Sequence, residues 1–228
     1  MIEHRPFASL HAEERDWLQA RHHILVHRPD TWGALRAWND DEIAPNGGFP
    51  SHGHTNMEII TYVREGLITH RDNLGNTGQI QAGDVQVMSA GTGIRHAEYN
   101  LGRTPARLFQ IWIEPERPGG APAWGTKSFP KIDRAGQLVV LASGLDQDVD
   151  ALPIRSRARV LGAILRSGEH LDYSFEAGRR GYLVPTRGSL EVNGIRLGAR
   201  DGAAIKDTAS LGLKALQDVE LVLVDVPS

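Results

Sequence analysis

The chain has no cysteine, and that absence closes several routes at once. Disulfide staples, thiolate metal centres and a cysteine nucleophile are excluded, which leaves histidine, aspartate and glutamate as the strong ligands. Any metal site must therefore use nitrogen and oxygen donors. Aromatic residues are scarce, at 6%, so Trp17, Trp32, Trp38, Trp112 and Trp124 read as core or rim packing rather than as a stacking platform. Charge of one sign is lacking too: 25 Lys and Arg face 28 Asp and Glu, and the arginines are interleaved with acids instead of forming a stripe. That distribution argues against nucleic acid as a partner. No run approaches the roughly 18 apolar residues of a spanning helix, and Met1 to Leu10 carries Glu3, His4 and Arg5 in place of an apolar signal core. The expectation is a cytoplasmic, monomeric protein without a membrane partner.

What is present is punctuation. Glycine (25) and proline (12) recur at short intervals between brief β-rich runs, the pattern of many short strands joined by tight turns. Strands are predicted at 33–38, 58–63, 66–71, 85–88, 108–113 and 138–142, and a second set at 160–165, 181–184, 189–192, 202–205, 211–215 and 220–226. Helical periodicity is confined to 12–20, and the Pro- and Gly-rich stretch 114–131 reads as a connection over the surface. Asn193-Gly194 between two alternating runs predicts a type I′ hairpin, because both turn positions need positive φ. The two sets echo one another. Tyr62-Val63-Arg64-Glu65-Gly66 resembles the run from Tyr182 to Gly188, and Gly83-Asp84-Val85 resembles Asp201-Gly202-Ala203. A repeat of this size suggests a duplicated barrel module, divided as 1–125, carrying a site, and 126–228.

His52 and His54 stand two residues apart after Pro50, so in an extended segment both imidazoles point to one face. His96 and Glu98 repeat that spacing. One such pair among ten histidines is unremarkable, but the context adds to it. Gly83-Asp84 forms a turn before an apolar strand, and the Gly-rich stretch from Ser89 to Arg95 delivers His96 beside a bend. Two i, i+2 pairs on neighbouring strands of a small barrel converge inside it, supplying three imidazoles and a carboxylate with coordination positions open. Such a set takes one divalent transition ion: Fe, Mn, Ni, Cu, Zn or Co. Glu58, at even spacing from His54, competes for the carboxylate position.

These residues carry a resemblance. Gly48, His52, His54, Glu58 and Gly66 match the first cupin motif, and Gly83, His96 and Asn100 the second. More narrowly, Leu35-Arg36, Asn39-Asp40-Asp41, Gly48-Phe49-Pro50, His52-Gly53-His54, Met57-Glu58-Ile59 and the run from Ser89 to Asn100 resemble the pirin family, most of all its bacterial quercetinase-like branch. The likeness is strong over 33–113 and holds in outline beyond. It implies an all-β bicupin, two β-barrel halves packed together. General cupins use the glutamate of the first motif, here Glu58, whereas pirins use the one two residues after the last histidine. The resemblance therefore selects Glu98 as ligand and leaves Glu58 as a buried carboxylate that orients a ligand.

The resemblance further implies Fe(II) as the ion, a flavonol-like substrate with O₂, and a dioxygenase reaction of the quercetin 2,3-dioxygenase type. Glu98 would then also take the 3-hydroxyl proton as general base. A second reading, from eukaryotic pirins, is a metal-binding, redox-sensitive regulatory protein without turnover; O₂-dependent turnover separates the two. One departure bears on substrate: where the branch has His-Thr-Phe-Ser-Phe, this chain has His23-Ile24-Leu25-Val26-His27, which removes ring contacts with a flat flavonol. The second half has no HxH pair and no counterpart of His96, so its barrel is expected to bind no metal. Of the other histidines, His22, His23 and His27 read as surface or pocket-edge, His70 as structural, and His170 as solitary.

Overall fold

A computed structural model describes residues 1–26 and 32–228. It is built almost wholly of strands, in two halves with the same plan: one seven-stranded sheet and one four-stranded sheet each. In the first half the large sheet runs, edge to edge, Ala123–Ser128, Asp84–Ser89, Glu58–Glu65, Ala106–Ile113, Leu35–Ile43, Leu18–Ile24 and His11–Arg15. Its small sheet runs Gly48–His54, Ile94–Tyr99, Leu67–Asp72 and Thr77–Gln81. The second half repeats this with Ile2–Arg5, Gly202–Lys206, Arg179–Arg187, Val219–Pro227, Arg159–Leu165, Val139–Ser143 and Leu152–Pro153, faced by His170–Ser174, Ser210–Ala215, Leu190–Val192 and Ile195–Leu197. The two cupin halves of the bicupin are thus present. No helix among the described residues is long and apolar enough to cross a membrane.

Sequence pattern follows what each face meets. Ser210–Ala215 alternates exposed and buried without exception, because its outer face meets solvent. Glu58–Glu65 is buried at six successive positions, because one face lines its own barrel and the other meets the second half. That seam holds Trp38, Ile60, Tyr62, Phe109 and Ile111 against Val160, Tyr182, Val184, Val222 and Val224. Tyr62 and Tyr182, paired by the sequence echo, both lie in it. The glycines closing the two echoed runs also match: Gly66 has φ 74° and Gly188 φ 73°. A Cβ at either would run into a backbone carbonyl, Pro105 O at 2.8 Å or Asp218 O at 2.2 Å. The hairpin turn holds Asn193 and Gly194 at φ 47° and 85°.

Two expectations need correction. Residues 12–20 form no helix: His11–Arg15 and Leu18–Ile24 are antiparallel strands joined at Asp16-Trp17, with Arg15 opposite Leu18. Leu18 and Ala20 point into the barrel with period two, and pairing to Leu35–Ile43 overrides the helix propensity of the run. The connection 114–131 is also more than a surface loop, since Ala123–Ser128 within it caps the edge of the large sheet against Asp84–Ser89.

Candidate metal centre

Ile94–Tyr99 lies between Gly48–His54 and Leu67–Asp72 in the small sheet, with His52 and Asp72 on either side of His96 and His70 beside Glu98. The register with Gly48–His54 shifts between His96 and Glu98. Pro50, which has no N–H for the ladder, sits in that irregular stretch. Among the described residues two clusters result, each with its ligand atoms within 4.8 Å of one another: His52, His54 and His96, and His70, His96 and Glu98. They share His96. His52 and His54 are half-buried, whereas His96, His70 and Glu98 are buried.

Each donor is held in place. His52 donates from Nδ1 to the Pro50 carbonyl at 2.8 Å, which leaves its Nε2 bare. His54 packs against Trp112 in a T-shaped arrangement, ring centroids 4.9 Å apart. Burial, reinforced by neighbouring imidazoles, pushes His54 down to about 4 and His96 down to about 3, so both rings are neutral near pH 7 and offer lone pairs. His96 Nε2 is buried with no hydrogen-bond partner. An orphaned acceptor of this kind, beside two further imidazoles, fits a first-row divalent ion with an open coordination position.

Glu98 is gripped from both sides. Gln86 Nε2 donates to its Oε1 and Gln110 Nε2 to its Oε2, each at 2.8 Å. Both amides are oriented in turn: Trp124 donates to Gln86 Oε1 at 2.8 Å and Trp112 to Gln110 Oε1 at 3.1 Å. An indole N–H can only donate, so each amide must turn its oxygen to tryptophan and its NH₂ to Glu98. Each carboxylate oxygen keeps a lone pair for an ion. Glu58 belongs to neither cluster. It is buried, accepts the Ser89 hydroxyl at 2.5 Å and the Arg155 backbone N–H, and burial pushes its carboxyl up.

The other histidines divide by face. His70 is buried, stacked on Trp124 with ring centroids 5.1 Å apart, and pairs through Nε2 with Asp72 at 3.1 Å. His22 and His23 border a cavity of about 460 Å³ with Glu3, Arg5 and His11. The His23 ring is not at the surface, however; it is enclosed in the seam by Trp38, Phe109 and Tyr182. Ile24 is likewise packed into the seam, so its aliphatic character removes nothing from the metal centre. His27 lies outside the described residues. His170 is exposed, opposite Lys214.

Sequence reasoning missed Gln86, Gln110 and the indole partners that orient them. The signal was nonetheless there: Val85-Gln86-Val87 and Phe109-Gln110-Ile111 each set one amide in an apolar strand, and a buried amide demands a partner.

Comparison with known proteins agrees with this architecture. The Pirin family model matches residues 5–113, and the quercetinase C-terminal cupin domain model matches 140–226. A pirin-like protein of Caulobacter vibrioides is 61% identical, over 99% of both chains. A protein of Escherichia coli K12 named quercetin 2,3-dioxygenase is 38% identical, over 86% of this chain and 84% of its own. The crystal structure of YhhW from Escherichia coli superposes with TM-score 0.94 at 34% identity, covering 100% of this chain and 98% of that one. A second structure, of bacterial pirin YhhW in complex with nickel(II), gives TM-score 0.92 at the same identity and covers 99% of that chain. With both halves matched and a relative of such identity along its whole length, this chain belongs to the pirin family.

Proposed function

We propose that the chain is a metal-dependent dioxygenase of the quercetin 2,3-dioxygenase type, with iron held by His52, His54, His96 and Glu98 and a flavonol as substrate. The observation that carries this reading is the orphaned, buried Nε2 of His96, the residue shared by the cluster with His52 and His54 and the cluster with the clamped Glu98. Relatives named quercetin 2,3-dioxygenase support the reaction class. When bound, the ion supplies Lewis acidity and a centre for dioxygen chemistry.

The chain's own residues do the rest. The half-buried His52 and His54 lie on the open side, where substrate approaches. His96 and Glu98, 2% and 3% exposed, form the dry side. Glu98 takes the 3-hydroxyl proton on a carboxylate oxygen, using the lone pair that the glutamines leave free.

Oxygen uptake by the Fe(II)-loaded protein with quercetin tests the proposal. Glu98→Gln should lower turnover by roughly 10²- to 10⁴-fold, because an amide cannot act as the base. Its NH₂ would face one glutamine NH₂, so occupancy should fall too, by no more than about tenfold. A fully iron-loaded protein inert toward flavonols and smaller enolic or catecholic compounds would leave the redox-sensitive regulatory reading in its place.

A further inference from the structure

His70 has no place among the four ligands, yet it is fully buried and held by a ring stack and a carboxylate. Its ring stacks on Trp124 at an interplanar angle of 15° and neighbours the tilted His96 ring, whose centroid lies 5.3 Å away. Asp72, at its Nε2, is built as an acceptor. One oxygen takes the backbone N–H groups of Leu74 and Asn76 at 2.9 and 3.0 Å, and the other takes Asn76 Nδ2 at 2.9 Å and faces His70 Nε2 at 3.1 Å. A carboxylate accepting four such contacts has nothing to donate, so the proton between it and His70 sits on His70 Nε2.

The remaining proton positions follow in order. With Nε2 donating to Asp72, His70 has only Nδ1 left with which to accept a hydrogen bond. That atom lies 3.5 Å from His96 Nδ1, at the outer edge of hydrogen-bonding range. Two bare nitrogens facing one another in a buried site would repel, so His96 carries its proton on Nδ1 and donates to His70. His96 Nε2 is then the bare atom, and it is the one found without a partner. The cluster of His70, His96 and Glu98 is thereby accounted for without a second ion, because the His70 lone pair is taken by His96 and His70 is left with no atom to offer a metal.

We propose that Asp72 and His70 form a positioning pair, fixing His96 as the Nδ1–H tautomer so that Nε2 is presented to the ion. The assignment rests on the metal reading for its purpose but not for its geometry. Trp124 completes it, since one indole packs against His70 by its face and orients Gln86 by its N–H, and so governs the two ligands His96 and Glu98 together.

Two substitutions separate positioning from mere packing. His70→Phe keeps a ring against Trp124 and removes the acceptor, whereas His70→Asn loses the ring but returns an oxygen near the Nδ1 position. Long-range ¹H–¹⁵N spectra of the metal-free protein should show His96 protonated at Nδ1 in the wild type and in His70→Asn, and a tautomer mixture in His70→Phe. Competition titration with Zn(II) should show binding weakened about 10- to 100-fold in His70→Phe and restored to within roughly threefold in His70→Asn. A wild-type His96 protonated at Nε2, or Zn(II) affinity unchanged in a folded His70→Phe protein, overturns the proposal. A wild type that binds no Zn(II) but keeps the Nδ1–H signal would sink the metal reading while upholding the tautomer assignment.

Discussion

The two barrels share a strand plan and differ in what fills them. In the first, the central strand Ile94–Tyr99 turns Ile94, His96 and Glu98 inward; in the second, Ser210–Ala215, at the same place in its sheet, turns Leu211, Leu213 and Ala215 inward. The first interior is split. Leu18, Ile43, Val63, Ile68, Ile80 and Leu108 form an apolar end, and the histidines and Glu98 occupy the other. The second interior is one continuous aliphatic cluster that includes Leu161, Leu165, Leu183, Leu197, Ile205 and Leu221. A barrel that packs itself solid can be read as a strut, and a barrel that gives up part of its core to polar groups needs support from outside. The seam supplies it.

That contrast can be broken most directly at His96. His96→Ala should take bound metal from one equivalent per chain to none, measured by elemental analysis after dialysis. Two equivalents in the wild type, one of them surviving the substitution, would mean that the second barrel binds too. Leu213→Ala, at the matching strand of the second barrel, should instead cost about 2–5 kcal/mol of stability through the cavity it leaves, with metal stoichiometry unchanged. Urea unfolding followed by tryptophan fluorescence measures this, and a loss below 1 kcal/mol would show an interior looser than its burial implies.

A pH-dependent effect sharpens the seam between the halves. Burial, reinforced by Arg200, Arg64 and Arg5, pushes His23 down to about 3 from its ordinary 6.5. Between those values the unfolded chain holds a proton on this histidine that the folded chain does not. Stability contributed at neutral pH is therefore lost as pH falls from about 6.5 toward 3, on the order of 1 kcal/mol per pH unit. His23→Leu should flatten that slope in unfolding curves collected at pH 7 and pH 4.5; an unchanged slope would place the titrating group elsewhere.

Much of this was legible in the sequence because strands announce themselves by alternation and glycine. The duplicated plan was visible in Tyr62 and Tyr182, each followed by a glycine that only a left-handed turn requires. The His52–His54 and His96–Glu98 pairs were visible because i, i+2 spacing survives in any extended segment. Other features were hidden for identifiable reasons. Ala12, Glu13, Glu14, Leu18 and Gln19 all tolerate a helix, and only the pairing partner decides against it. Ala123–Ser128 has no fully buried position, so it carries no periodic signal, yet it brings Trp124 to the centre. The partners of Glu98 and His96 come from strands far apart in sequence, and no local pattern names them.

The strand Ile2–Arg5 belongs by position to the first half but is paired, Ile2 opposite Ile205, within the large sheet of the second. Its consequence is one of timing. Strands about 200 residues apart close a loop of high entropic cost, so this edge of the second sheet is filled late in folding. Until then Gly202–Lys206 presents an open edge, and the same strand from a neighbouring chain could fill it, the route by which molecules exchange a segment and become interlocked. Dilute conditions during refolding favour the self-paired form, because the chain's own strand is then the nearest one available.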